Sequence, residues 1–225
     1  MEGRYPNSIM LTIASCSEVE HIDEWLDWYS RIHTPDITAA GVFTNMIQFI
    51  NTDPDHQGRQ IANLSECSYD DPYMALEELR KKRAPYRNDN RQSPYTKIYG
   101  KEGPMIRIGG EFQHTKNAAV NGIFIENVSI DGIKTIREFE YWYHDKRIPS
   151  VLSPGIFQSA YRYQALSTEG PLNNFVCIYE TDRDDPDTAM QEIKAITLTE
   201  NSQYPRMRIN WEMAAKRLSP MEGRQ

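Results

Sequence analysis

Hydrophobic and polar positions along this chain spell one order of elements, and spell it twice. Met10-Leu11-Thr12-Ile13-Ala14 and Gly122-Ile123-Phe124-Ile125 are short apolar runs of the strand kind. Each is followed by a helical pattern, roughly over 18–33 and 132–147. In the first, Val19, Ile22, Trp25 or Leu26, and Tyr29 recur at three- and four-residue spacing, which puts them on one side of a helix. Pro35 and Pro149 are expected to end these helices, because proline biases the residue before it away from helical backbone. Gly41 and Gly155 open a second strand. Alternation there puts Phe43, Asn45, Ile47 and Phe49 on one face, and likewise Phe157, Ser159, Tyr161 and Tyr163. A third strand is predicted at about 60–66 and 174–180. Asp70-Asp71-Pro72 and Asp184-Asp185-Pro186 then start a second helix, since aspartate caps free amides and proline fits the first turn. Its apolar stripe is Ala75, Leu76 and Leu79, with Ala189, Met190 and Ile193 in the second copy. A last strand is predicted near 95–108 and again near 204–211.

The two copies keep one offset. Glu24 and Glu138 stand 114 residues apart, and the same shift relates Trp28 to Trp142, Tyr29 to Tyr143, Pro35 to Pro149, Gly41 to Gly155 and Glu66 to Glu180. Chance would not hold one shift through such rare residue types, so the chain is read as a tandem duplication. Each copy runs β-α-β-β-α-β, the ferredoxin-like order, with helices on one sheet face only. The bare face must be covered, and a twin in the same chain can cover it. The expected fold is α+β: two ferredoxin-like repeats packed sheet to sheet, 1–116 and 117–225, joined through Gly109-Gly110 to Asn121-Gly122.

Composition narrows the partners. The chain has 225 residues, a formal net charge of −7 and 11% aromatics. An acidic balance argues against general nucleic-acid binding, which rests on a basic face. No apolar run reaches the ~18 residues of a spanning helix, and the N-terminus lacks a secretory stretch, so a cytoplasmic location is expected. Three scattered cysteines, Cys16, Cys67 and Cys177, suit reduced thiols and supply no CxxC zinc pair.

The run Trp28-Tyr29, His33 and Pro35, with Gly41-Val42-Phe43 after it, resembles the EthD-like group of dimeric α+β barrel proteins. The likeness extends over nearly the whole chain as a tandem pair, with one departure: Arg147 stands where the motif has histidine. The resemblance implies an apolar small-molecule pocket between helix and sheet in each half. It implies a small hydrophobic or aromatic substrate, and a monomer with an internal pair or a homodimer. The wider superfamily also holds haem enzymes and proteins without established activity. Fold alone does not choose among these.

His33, four residues after Tyr29, suits proton transfer because an imidazole titrates near neutrality. Tyr29 would orient it or hold an oxyanion. Trp28, Trp142, Tyr143, Arg147 and Tyr161 are the candidate substrate contacts. Arg147 can bind an anion but cannot act as a base. Each has a bland alternative: the aromatics as anchors of helix on sheet, Arg147 as a surface ion pair, His33 as a tie to the helix end. His144 and Asp145 are neighbours in sequence and are not expected to face one another. His33 and Asp36, three apart across Pro35, make a weak metal pair. No pattern supplies three zinc ligands, so no metal and no organic cofactor are expected. For haem, His33 or His114 could serve as the axial ligand, but no pattern points to it. The basic run Arg80 to Arg83, with Arg87 and Arg91, reads as a solvated helix end or as a flap over the first half. The expected function is a cofactor-independent lyase, dehydratase, or cyclase/isomerase acting on an aromatic or polyketide-like substrate by His33-mediated proton transfer. The alternatives are a non-catalytic binder of a hydrophobic small ligand and a cofactor-free monooxygenase.

Overall fold

The computed structural model describes residues 6–53, 61–67, 69–83, 91–110, 112–113, 119–130, 136–166, 174–197, 204 and 207–218, with the side chains of 83, 98–103 and 113 left aside. In chain order the first copy runs β1 (Ser8–Cys16), a helical stretch from Val19 to Ala39, β2 (Phe43–Asn51), β3 (Ile61–Cys67), α3 (Pro72–Arg83) and β4 (Thr96–Arg107). The first stretch contains α1 (Ile22–Trp28) and α2 (Thr34–Ala39). A two-residue strand, β5 (Phe112–Gln113), follows. The second copy runs β6 (Gly122–Ile130), α4 (Ile136–Trp142), α5 (Ile148–Leu152), β7 (Ser159–Ala165), β8 (Asn174–Thr181), α6 (Pro186–Thr197) and β9 (Met207–Arg217). The predicted boundary at 116/117 lies outside the described residues.

Strands lie in the order β4-β1-β3-β2-β9-β6-β8-β7, and β4 pairs with β7 to close the ring. The result is the expected α+β architecture, two ferredoxin-like units forming one closed eight-stranded barrel. Closure removes the open sheet edges that each unit would carry alone. Alternation along the strands fills the barrel with Leu11, Ile13, Phe49, Leu64, Met105, Ile125, Tyr161, Tyr163, Ile178 and Met213, among others. The helices cover the outer faces. The constant shift holds in the pairing: Thr12 faces Asn63 across β1 and β3, and Glu126 faces Cys177 across β6 and β8.

Two local expectations are corrected. Pro35 and Pro149 do not end their helices. The backbone passes through π turns at Tyr29–His33 and Tyr143–Arg147 and continues into α2 and α5, with the prolines near the start. A proline clashes with the carbonyl four residues back. The wider π turn just before it relieves that clash, which is why a kink does not become a stop. Second, Phe43 leaves the face it was predicted to share. A bulge between Phe43 and Asn45 shifts the register, and Phe43 packs under the helices while Ile47 and Phe49 point into the barrel. Phe157 precedes β7 and also lies under the helices.

Gly122 marks a close approach of α6 to the sheet. A Cβ there would lie 2.7 Å from Pro186 Cβ and 3.2 Å from the Ala215 carbonyl. Gly122→Ala should therefore lose about 1–3 kcal/mol by overpacking, read as a lower midpoint in urea unfolding; an unchanged midpoint would refute the contact.

Candidate functional site

The two spaces between helices and sheet have different contents. In the second half one apolar cluster runs without a break from Phe124 and Val128 through Phe139, Phe157 and Phe175 to Ile193. Glu126 is buried in its middle, 1% exposed. Its carboxylate accepts hydrogen bonds from the Tyr143 hydroxyl (2.6 Å) and the Tyr179 hydroxyl (3.1 Å), and pairs with Arg147. Burial works to raise the Glu126 carboxyl. The Arg147 charge and the hydrogen bonds from Arg147, Tyr143 and Tyr179 overcome it and hold the group below its ordinary value. Burial, then Glu126 nearby, pushes the Tyr143 hydroxyl well up. Arg162, 2% exposed, lies 4.3 Å over the Tyr143 ring and reaches both Glu140 oxygens at 2.9 Å. This half is filled and sealed by two ion pairs.

In the first half the apolar material is split. One cluster holds Ile37, Val42, Phe43, Ala75 and Leu79; the other holds Ala14, Trp25, Tyr29 and Ile61. A polar strip lies between. Thr12, Asn63 and Gln48 stand in register on three neighbouring strands, β1, β3 and β2. Asn63 donates to the Tyr29 hydroxyl at 2.7 Å, and Gln48 donates to the Asn63 carbonyl at 3.0 Å. Gln48 also donates to the Thr34 hydroxyl at 3.0 Å, and that hydroxyl donates to the Tyr29 carbonyl at 2.9 Å. Thr12, His33, Thr34, Gln48 and the flanking Met10 and Met46 are half-buried. The one-offset counterparts explain the difference: Thr12 for Glu126, Ser65 for Tyr179, His33 for Arg147, Gln48 for Arg162 and Met46 for Ala160. Four of the five exchanges give this half the smaller or uncharged side chain.

The π turn assembles the predicted pair. His33 lies 4.6 Å from the Tyr29 ring and 5.0 Å from the Trp28 ring, centre to centre. Five-residue recurrence in a π turn is what adds Trp28, where α-helical spacing alone selects Tyr29. Trp28 also donates its indole N–H to the Arg91 carbonyl, while the Arg91 guanidinium grips Asp36. Arg91 thus straps the first helix, and Asp36 is an ion-pair partner. Among the described residues no group of three or more His, Cys, Asp or Glu is placed to hold a metal. Tyr143 and Arg147 occupy the sealed half with Trp142 beside them. Tyr161 lies on the other sheet face, inside the barrel, and donates to Glu180 at 3.0 Å. The candidate contacts are therefore spread over three places. Arg147 forms a buried ion pair, not a surface one. His144 and Asp145 do meet, side by side at 2.7 Å on the surface. Arg80, Lys81 and Lys82 are exposed, and His56, Arg87 and His114 lie outside the described residues. Burial pushes the Cys67 thiol up to about 11 and the Cys177 thiol up to about 12, so neither is a thiolate at neutral pH.

Thr12, Thr34, Gln48 and Asn63 went unremarked in the sequence, as did Glu126 and Arg162. The available signal was the exchange at matched positions of the two copies: polar for charged at Thr12/Glu126 and Gln48/Arg162, polar for apolar at Thr34/Ile148 and Asn63/Cys177.

No family model and no curated protein matches the chain. Solved structures do. A haem-binding protein from Thermus thermophilus superposes with a TM-score of 0.58 at 8% identity, over 96% of this chain and 92% of that one. A dye-decolorizing peroxidase from Bacteroides thetaiotaomicron gives 0.58 at 6%, over 96% and 94%. A mutant chlorite dismutase from Candidatus Nitrospira defluvii gives 0.57 at 6%, over 94% and 91%. The shared fold is the dimeric α+β barrel. These neighbours are a haem binder and oxidoreductases, not lyases, dehydratases, cyclases or isomerases. The cofactor-independent lyase or isomerase expectation is therefore withdrawn.

Haem itself is a poor fit to the described residues. In the second half its place would be taken by Phe124, Phe139, Phe175 and the Glu126–Arg147 pair, all packed together. In the first half the Tyr29–Asn63–Gln48–Thr34 chain crosses the space that a macrocycle would need. Among the described residues no helix is long and apolar enough to cross a membrane.

Proposed function

We propose that the protein is a binding protein for a small ring-bearing organic molecule, held between helix and sheet of the first half. The observation that carries this reading is the asymmetry of the two copies. At matched positions the second half is filled by an unbroken apolar cluster and buried ion pairs, and the first is interrupted by a half-buried polar strip. A polar strip flanked by Met10, Met46 and Trp28 has the character of a ligand site: apolar walls with a few placed hydrogen-bonding groups. Two fold neighbours are named for haem and for dyes, which supports an organic guest on this fold. Tyr29 and His33, with Asn63 and Gln48, would touch the ligand. Trp142, Tyr143 and Arg147 would serve stability.

Naphthol titrated into the intact chain should quench tryptophan fluorescence and raise the melting temperature. Asn63→Leu should weaken that binding roughly threefold to tenfold, the worth of one neutral hydrogen bond. Binding that is absent, or that Arg147→Met weakens more than Asn63→Leu does, would remove the first-half assignment.

A further inference from the structure

The strip also specifies the charge of its guest. Thr12, Tyr29, Thr34, Gln48 and Asn63 carry no charge near neutrality, and His33 is the single titratable imidazole beside them. Their counterparts in the second half are Glu126, Tyr143, Ile148, Arg162 and Cys177, with Arg147 in the place of His33. Half of those six are ionised side chains, and all three of them are ion-paired. Of the described cations on the covering elements of the first half, Arg80 and Lys82 are exposed on α3 and Lys81 pairs with Glu78. Arg31 pairs with Asp27 at 2.6 Å, and Arg91 grips Asp36. An ionised ligand entering the strip would lose its water with no fixed counter-charge to meet it: His33 could answer an anion only by taking up a proton, and nothing in the strip answers a cation, so the exchange is unfavourable. An uncharged hydroxyl or carbonyl suits it, because Asn63 and Gln48 amides and the Tyr29 and Thr34 hydroxyls both donate and accept.

We infer that the first-half site takes an uncharged ring compound presenting a hydroxyl or carbonyl edge, and that it rejects carboxylated rings, haem with its two propionates included. The inference rests on the ligand-binding reading above and adds the charge class. It sets this chain apart from the fold neighbour named for binding haem.

Three probes on the full chain test it: naphthol, naphthoate (the same rings bearing a carboxylate) and haemin. Tryptophan quenching reports the first two, and the Soret band the third. The expected result is naphthol binding at least about ten times tighter than naphthoate, a ratio worth ~1.4 kcal/mol, with no stoichiometric Soret shift. In Gln48→Arg, melting temperature being checked, naphthoate should gain on naphthol. Naphthoate binding as tightly as naphthol, or a stoichiometric Soret shift that His33→Ala abolishes, would overturn the charge class while leaving a ligand site in place. Failure of all three probes to bind would overturn the ligand-binding reading, and this inference with it.

Discussion

Arg147→Met should lower the stability of the whole chain by about 3–5 kcal/mol, because it leaves Glu126 buried without its cation. At this length that is a fall in melting temperature of roughly 6–20 °C. The substitution keeps volume and loses charge, so the effect isolates the ion pair from packing. Glu126 is almost fully covered and Arg147 nearly so, and solvent does little to screen them. The pH dependence gives a second, independent sign. In the native chain the Glu126 carboxyl lies below its unfolded value. Its contribution is therefore complete above the unfolded value, near 4.3, and disappears as pH falls through the lower folded value. In Arg147→Met the opposite holds. Burial without a cation raises the carboxyl above its unfolded value, so the folded form binds the extra proton and stability grows on acidification from neutral toward pH ~5. Urea unfolding of both proteins at two pH values reads both signs. A loss under about 1 kcal/mol, or the same pH slope in both, would show that the pair contributes little.

Much of the fold was legible because duplication writes each position twice. A single shift of 114 residues aligned Trp28 with Trp142 and Glu66 with Glu180, and the same shift holds in the strand registers. Closure of the barrel follows from two bare sheet faces in one chain. Three features were less readable, each for a physical reason. The helix passing beyond Pro35 depends on a π turn, whose hydrogen bonds leave no fixed residue signature. The side taken by Phe43 depends on a bulge, which adds one residue and flips alternation. The location of Tyr161 depends on strand register, and either face would accept a tyrosine at that point. The site was half-legible. His33 and Tyr29 share a helix face at any helical spacing, so motif reading found them. Asn63 and Gln48 lie on strands distant in sequence and meet Tyr29 only once β2 and β3 are paired. Glu126 could have been found by comparing copies. A carboxylate matched to threonine at a helix-facing strand position demands a partner, and Arg147, matched to His33, is the cation that answers it.

That complementarity gives the most demanding test of the site. Thr12→Glu with His33→Arg would write the buried ion pair of the second half into the first. The tyrosine it needs is already there, since Tyr29 matches Tyr143 and both are buried. Each single substitution should destabilise, because each introduces one partly covered charge without a mate. The low end of the ~3–5 kcal/mol range applies, as Thr12 and His33 are half-buried rather than sealed. The double variant should recover most of that loss, giving a coupling energy of the sign that contacting residues show. It should bind naphthol at least about a hundredfold more weakly than the native chain, ~2.7 kcal/mol, since the larger charged pair occupies the strip and its neutral edge is gone. Recovery of stability together with loss of binding assigns the ligand to this strip. A double variant that melts like the native chain and still binds naphthol as well would place the ligand elsewhere, and the polar break in the first half would then be a local packing difference between two copies of one fold.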